Sequence, residues 1–107
     1  MNCEAISVRK VDYYVNNPFA CIIDVRDEKD YREAHIKNAV NIPYEVIEDM
    51  LNHKKYNNII SDRSKIYVVY CERGAMSMII CNKMSQQGYI TKTVVGGYQK
   101  YNGRYIV

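Results

Sequence analysis

Apolar and polar positions along this chain switch between two periods, and the switches divide it into strand-like and helix-like stretches. "AISV" (5–8) reads as a short first strand. "RKVDYYVNN" (9–17) follows, with Val11, Tyr14 and Val15 at i, i+3 and i+4, the spacing of one helical face. Pro18 stops that helix, because proline disfavours helical backbone at the residue before it. "ACIIDV" (20–25) is a continuous apolar run of the kind covered on both faces in a parallel sheet. "RDEKDYREAHI" (26–36) predicts a polar helix, with Asp27 placed to cap it and Glu28 and Asp30 at its positive end. "NAVNIP" (38–43) is a very short strand, and "YEVIEDMLNHKKY" (44–56) puts Val46, Ile47, Met50 and Leu51 on one helical face. "NNIISDRS" (57–64) reads as a polar connection.

The second half repeats the alternation. "KIYVVY" (65–70), β-branched and aromatic, is the clearest strand in the chain. "GAMSMIICNKMSQQG" (74–88) predicts a helix with Ala75 and Ile79, and Met76, Ile80 and Met84, at i+4 spacing, and Gly88 just past its end. "TKTVVGG" (91–97) is a last strand closed by two glycines, and "YQKYNGRYIV" (98–107) leaves room for one helical turn. Strands alternating with helices predict an α/β domain around a mostly parallel sheet. With 107 residues and no repeat or linker, residues 1–107 read as a single domain.

Composition narrows the function classes. Hydrophobic residues make up 48% and charged residues 25%, as in a soluble globular domain. A net charge of +3, spread among acids, gives no basic patch for nucleic acid. No apolar run approaches the roughly 20 residues of a membrane span, and "MNCEAISVRK" has no secretory h-region. Cys3, Cys21, Cys71 and Cys81 include no C-x-x-C pair, and His35 and His53 stand apart, so no metal site is expected. Without a secretory signal, the four cysteines read as free thiols in a reducing cytoplasm.

Cys71 stands out because it ends the strongest strand and precedes a helix. In open α/β sheets ligands bind beyond the carboxyl ends of the strands. The thiolate is the reactive form of cysteine, and only a small fraction of a free thiol is ionised at neutral pH. A helix N-terminus stabilises an anion by about 0.3–1 kcal/mol. A loop that turns several N–H groups inward adds to this, and Gly74 supplies the conformational freedom such a loop needs. Arg73 favours an anion there, while Glu72 opposes one unless its carboxylate points outward, which is the expectation. From position alone Cys71 is either a reactive thiol or a buried inert one.

Three segments in series decide between these readings by resemblance. Asp24, Val25, Arg26, Tyr31, His35, Ile36, Ala39, Asn41, Ile42 and Pro43 resemble in register the entry signature of single-domain rhodaneses. "VVYCERGAMS" (68–77) resembles the strand and active-site loop of that family, and "VVGGYQKY" (94–101) its closing glycine pair and aromatic residue. The resemblance implies an α/β fold with a five-stranded, mainly parallel sheet and helices on both faces. It implies a sulfurtransferase that needs no cofactor. Cys71 would accept a sulfane sulfur from thiosulfate, or from a protein or low-molecular-weight persulfide, and pass it to a thiol or cyanide. Glu72, Arg73, Gly74, Ala75 and Met76 would form the substrate-binding loop, with Asp24, Arg26 and Ser77 as structural support and His35 as a packing residue. No nucleic acid or membrane partner is implied.

Departures from the family pattern sharpen the expectation. Met76 stands where many members carry a cation, which disfavours the thiosulfate dianion as donor. Ala34, Lys37 and Asn38 replace a glycine, a proline and a glycine, and Asn38 tolerates the left-handed backbone the turn needs. Tyr101 replaces a tryptophan. Related phosphatases use a loop one residue longer that ends in arginine, whereas the sixth residue after Cys71 is Ser77. The competing reading from another class is a non-catalytic rhodanese-like module that acts by docking a partner.

Overall fold

The computed structural model describes residues 3–107. Its elements run β1 (Glu4–Ile6), α1 (Val8–Val15), β2 (Ala20–Asp24), α2 (Glu28–Glu33), β3 (Val40–Asn41), α3 (Tyr44–Asn52), β4 (Ile66–Tyr70), α4 (Ala75–Gln86), β5 (Ile90–Val94) and α5 (Gly97–Lys100). The five strands form one parallel sheet in the order β1-β5-β4-β2-β3. The expected α/β architecture is therefore present. An antiparallel bridge between Ile36 and Ile106 ties the C-terminal segment to the loop before β3. No helix among the described residues is long and apolar enough to cross a membrane.

The central strands are apolar throughout because both faces of the sheet are covered. Ile23, Tyr67 and Val69 point to one face, where Ile47 and Leu51 of α3 and Ile80 and Met84 of α4 close over them. Ile22, Val68 and Tyr70 point to the other, against Val11 and Val15 of α1 and Ile36, Ala39 and Tyr101. The two sets alternate along β2 and β4, as the period of two in a strand requires.

Several predicted details change in the fold. Val46 is half exposed while Ile47 and Leu51 are buried, so α3 turns a narrower apolar face inward than its sequence suggests. In α4 the buried positions are Ser77, Ile80, Cys81, Met84 and Ser85. Ala75, Met76, Met78 and Ile79 face solvent. Apolar residues surround the first two turns of that helix, so spacing alone could not fix the inward face. The polar connection 57–64 carries Ile60, fully buried in the core beneath α3 and α4. Asp27 occupies the N-cap of α2, but its side chain makes no capping hydrogen bond. Asn38 has φ 68° and Gly88 φ 92°, as the turn and the helix end were expected to require.

The expectation of four free thiols is corrected. Cys3 and Cys81 form a disulfide across 78 positions of sequence, while Cys21 and Cys71 are free. β1 pairs with β5 at the edge of the sheet, and α4 packs on β5, so Cys3 meets the middle of α4 with its Cα 5.5 Å from that of Cys81. That separation lies in the range a disulfide needs. Disulfides persist mainly in oxidising compartments, so the cysteines no longer support a reducing one.

Candidate functional site

β4 ends at Tyr70, and the chain turns directly into a tight loop, 71–74, before α4 begins at Ala75. Cys71 is nearly buried, at 4% exposure. Its Sγ accepts the N–H of Gly74 at 3.0 Å and the N–H of Ser77 at 3.4 Å. The Ser77 hydroxyl lies 3.6 Å from the sulfur, within reach of a sulfur hydrogen bond. The sulfur thus faces backbone donors at the positive end of a twelve-residue helix, an arrangement that favours its anion.

The loop curls this way because its carbonyls are held outside. Tyr98 N–H donates to the Cys71 carbonyl at 2.8 Å and Gln99 N–H to the Glu72 carbonyl at 3.0 Å. Both donors come from α5, whose first turn abuts the loop. Gly97 makes the approach possible: it has φ 66°, and a Cβ there would lie 2.5 Å from the Cys71 oxygen. Gly74 adopts φ 113° and packs against Gly96. Glycine is the residue that meets both requirements at low cost.

Behind the sulfur, Ser77 and Thr93 are both buried and their hydroxyls are 2.8 Å apart. The Ser77 hydroxyl also donates to the Gly74 carbonyl at 3.1 Å. Thr91 and Thr93 alternate along β5 and both face α4, Thr91 donating to the Cys81 carbonyl. Sequence reasoning passed over Thr93, although the alternation in "TKTVV" placed it on one face with Thr91.

Asp24 and Arg26 stand beside the loop at the end of β2, as expected, and both are buried. The Asp24 carboxylate accepts the Arg26 backbone N–H, Nε and Nη2, and the Tyr70 hydroxyl at 2.7 Å. Arg26 Nη2 also donates to the Ala34 carbonyl, and the guanidinium lies 4.0 Å from the centre of the Tyr98 ring. Burial alone would push the guanidinium down, but the hydrogen bonds and charge of Asp24 outweigh it and hold Arg26 above its ordinary value. Burial, then the charge and hydrogen bond of Asp24, push the Tyr70 phenol up. His35 stacks on Tyr31 at 3.7 Å and bonds its carbonyl through Nδ1, a packing role.

Two shallow grooves meet at Cys71. One is lined by Val25, Arg26, Asp27, Asp30, Glu72 and Met76, the other by Glu72, Arg73, Ala75 and Met76. Every loop residue expected to bind substrate except Gly74 therefore lines a groove beside the thiol. Glu72 departs from the expected outward direction. It is half exposed, yet its Oε1 turns back to within 3.5 Å of Arg26 Nη1. Arg73 is exposed and forms no ion pair among the described residues.

A family model described as the Rhodanese-like domain matches residues 8–104. The chain belongs to that family. Among relatives of this rhodanese-like chain is a putative sulfurtransferase, YtwF, of Bacillus subtilis, 32% identical over 82 residues, 77% of this chain and 73% of that protein. Thiosulfate sulfurtransferase GlpE of Coxiella burnetii is 28% identical over 85 residues, 78% of this chain and 73% of that one. A probable molybdopterin-synthase adenylyltransferase of Porphyra purpurea is 31% identical over 90 residues, which is 84% of this chain but 22% of that protein. The solved structure of a rhodanese-related protein from Thermoplasma volcanium superposes with a TM-score of 0.75 at 29% identity, covering 97% of each chain. Two of these relatives carry the name sulfurtransferase, and the Thermoplasma protein shares the rhodanese-like fold.

Proposed function

We propose that residues 1–107 form one rhodanese-like sulfurtransferase domain in which Cys71 carries sulfane sulfur as a persulfide. The observation that carries this reading is the pair of N–H groups, from Gly74 and Ser77, directed at the Cys71 sulfur. In the first step the Cys71 thiolate attacks the outer sulfur of the donor. With thiosulfate, the new S–S bond forms as the old one breaks, and sulfite leaves with the bonding pair. With a persulfide R–S–S⁻, the departing group is the thiolate R–S⁻. In both cases the charge lost from Sγ leaves on the departing group, and the transferred sulfur keeps its negative charge as the outer atom of the Cys71 persulfide.

A persulfide bond of about 2.0 Å carries that outer sulfur away from the buried Sγ and towards the grooves. Glu72, Arg73, Ala75 and Met76 then face donor and acceptor, while Gly74 shapes the loop. In the second step a thiol, as thiolate, or cyanide attacks the outer sulfur. The S–S bond breaks and Sγ leaves as thiolate, returning to its N–H donors. Asp24, Arg26 and Ser77 support the loop through the bonds described above and take no sulfur themselves.

Incubation with a sulfur donor followed by intact-mass and peptide mass spectrometry tests the reading. One added sulfur, about 32 Da, is expected on Cys71 and on no other residue. Cys71→Ser is expected to abolish it. A folded protein that takes up no sulfur on Cys71 from thiosulfate, or from a low-molecular-weight or protein persulfide, refutes the proposal.

A further inference from the structure

Arg26 is the cation that lines the first groove beside Cys71, and its donors are almost all committed. Nε and Nη2 serve Asp24 and the Ala34 carbonyl, and the plane rests on Tyr98. Nη1 turns towards the groove, and what it meets there is Glu72 Oε1 at 3.5 Å. Arg26 does not depend on that contact to keep its place. A carboxylate 52% exposed, at that distance, contributes little to stability. Its effect is on the charge the groove presents. Asp27 and Asp30 line the same groove, so it holds three carboxylates, counting Glu72, and one guanidinium, which is already paired with Asp24. Arg73, the other cation, lines the second groove and is exposed to solvent.

Given Cys71 as the sulfur carrier, we infer that Glu72 is a specificity-determining residue: its carboxylate occupies the anion position on Arg26 and turns the site away from small anionic donors towards persulfides with an uncharged or cationic body. A donor such as thiosulfate must displace Glu72 from Nη1 and then sit among Asp27 and Asp30. A persulfide borne on an uncharged thiol, or on a cysteine flanked by lysine or arginine, meets no such competitor. Met76, exposed and lining both grooves, offers an apolar edge to the body of such a donor.

The test compares the second-order rates at which two probes load Cys71, thiosulfate and the persulfide of N-acetylcysteinamide, followed by mass spectrometry. In Glu72→Gln the ratio of the thiosulfate rate to the rate with the N-acetylcysteinamide persulfide rises by roughly tenfold, and the gain shrinks as ionic strength increases. Glu72→Ala, which uncovers Nη1 completely, raises the ratio at least as far. Asp30→Asn removes a carboxylate from the same groove without freeing Arg26, and its gain is less than half that of Glu72→Gln. A ratio unchanged in Glu72→Gln overturns the inference, as does an equal gain in Asp30→Asn, which would assign selection to the general field of the groove. Loading from neither probe nor from a protein persulfide in the native protein refutes the sulfur-carrier reading itself, and this inference with it.

Discussion

The Cα of Gly97 sits so close to the Cys71 carbonyl that any side chain there would strike it: a Cβ would stand 2.5 Å from that oxygen and 2.6 Å from the oxygen of Glu72. The contact fixes which way the loop faces. Both carbonyls are bonded to the start of α5, which pins the backbone of Cys71 and Glu72 just before the Gly74 N–H that meets the sulfur. Gly97→Ala therefore does more than strain a backbone at φ 66°. It forces α5 off the loop and releases those carbonyls. The expected cost is about 1–3 kcal/mol of stability, with a loss of Cys71 sulfur loading larger than the stability change explains. Denaturant titration alongside the rate of loading at a temperature where the variant is folded checks both parts. Gly88→Ala serves as comparison, because Gly88 also has positive φ but touches only the Arg63 side chain. It should lose stability and keep its loading rate.

Ser77 and Thr93 make a hydroxyl pair that ends at the sulfur. Ser77 has one proton and three neighbours: the Gly74 carbonyl, the Thr93 hydroxyl and Cys71 Sγ. If Thr93 donates to Ser77, the Ser77 proton is left for the carbonyl or for a sulfur anion. Removing either hydroxyl should weaken the hold on the thiolate, the first directly and the second through it. Hydrogen bonds to charged groups contribute about 1.5–3 kcal/mol, so Ser77→Ala should slow iodoacetamide alkylation of Cys71 at pH 7 by roughly tenfold. Thr93→Val should slow it by about threefold, since it acts on the sulfur only through Ser77. Alkylation of Cys21, the other free thiol among the described residues, should proceed at the native rate in both variants. A matching deficit at Cys21 would mark a merely structural role.

What the sequence revealed of this arrangement follows from which forces act locally. β2 and β4 were legible because strands covered on both faces must be apolar at every position, and "ACIID" and "IYVVY" are nearly so. The left-handed turn at Asn38 was legible because few residue types tolerate it. Position on a helix face was less so. Val46 and Ile79 follow the apolar pattern yet remain exposed, because burial depends on what packs opposite. Cys71 was found from its joint between strand and helix, and its neighbours were found from resemblance. Thr93 and the inward turn of Glu72 were not found, since each depends on a contact between segments distant in sequence. The same is true of the Cys3–Cys81 bond, whose partners meet only because β1 joins the sheet beside β5.

That bond should matter more to stability than to chemistry. It closes a loop spanning most of the chain and anchors the three-residue edge strand β1 to α4. A cross-link of this kind contributes about 2–4 kcal/mol, mainly by restricting the unfolded chain. Reduction with dithiothreitol, or Cys3→Ser, should lower the unfolding midpoint by the corresponding amount. The Cys3→Ser protein should show no further loss on reduction. Alkylation of Cys71 in the folded state should be little changed, because the loop is held by α5 and β5. A native protein whose midpoint is the same with and without reductant would show that the bond is absent or without energetic consequence.

Alkaline solution should expose a different weakness. Burial, followed by the nearby charges of Cys21, Tyr89 and Asp62, pushes the Tyr67 phenol up to about 12. Burial, followed by the hydrogen bond to Asp12, pushes Tyr101 up to about 12 as well. Tyr70 moves in the same direction. A raised value in the folded state means that folding favours the protonated phenol. In the unfolded chain these groups ionise near 10, so the unfolded state releases its protons first. Their contribution to stability is therefore complete below about pH 10 and declines as pH rises through about 12. Chemical denaturation across this range, followed by circular dichroism, should show the midpoint falling above about pH 10. Tyr67→Phe removes one of the linked groups. It loses the hydroxyl bonds to the Ile59 and Asp62 carbonyls and so starts from a lower stability. Its midpoint should nevertheless fall less steeply between pH 10 and 12 than that of the native protein. An equal slope would mean that Tyr67 ionises in the folded state as readily as it does unfolded.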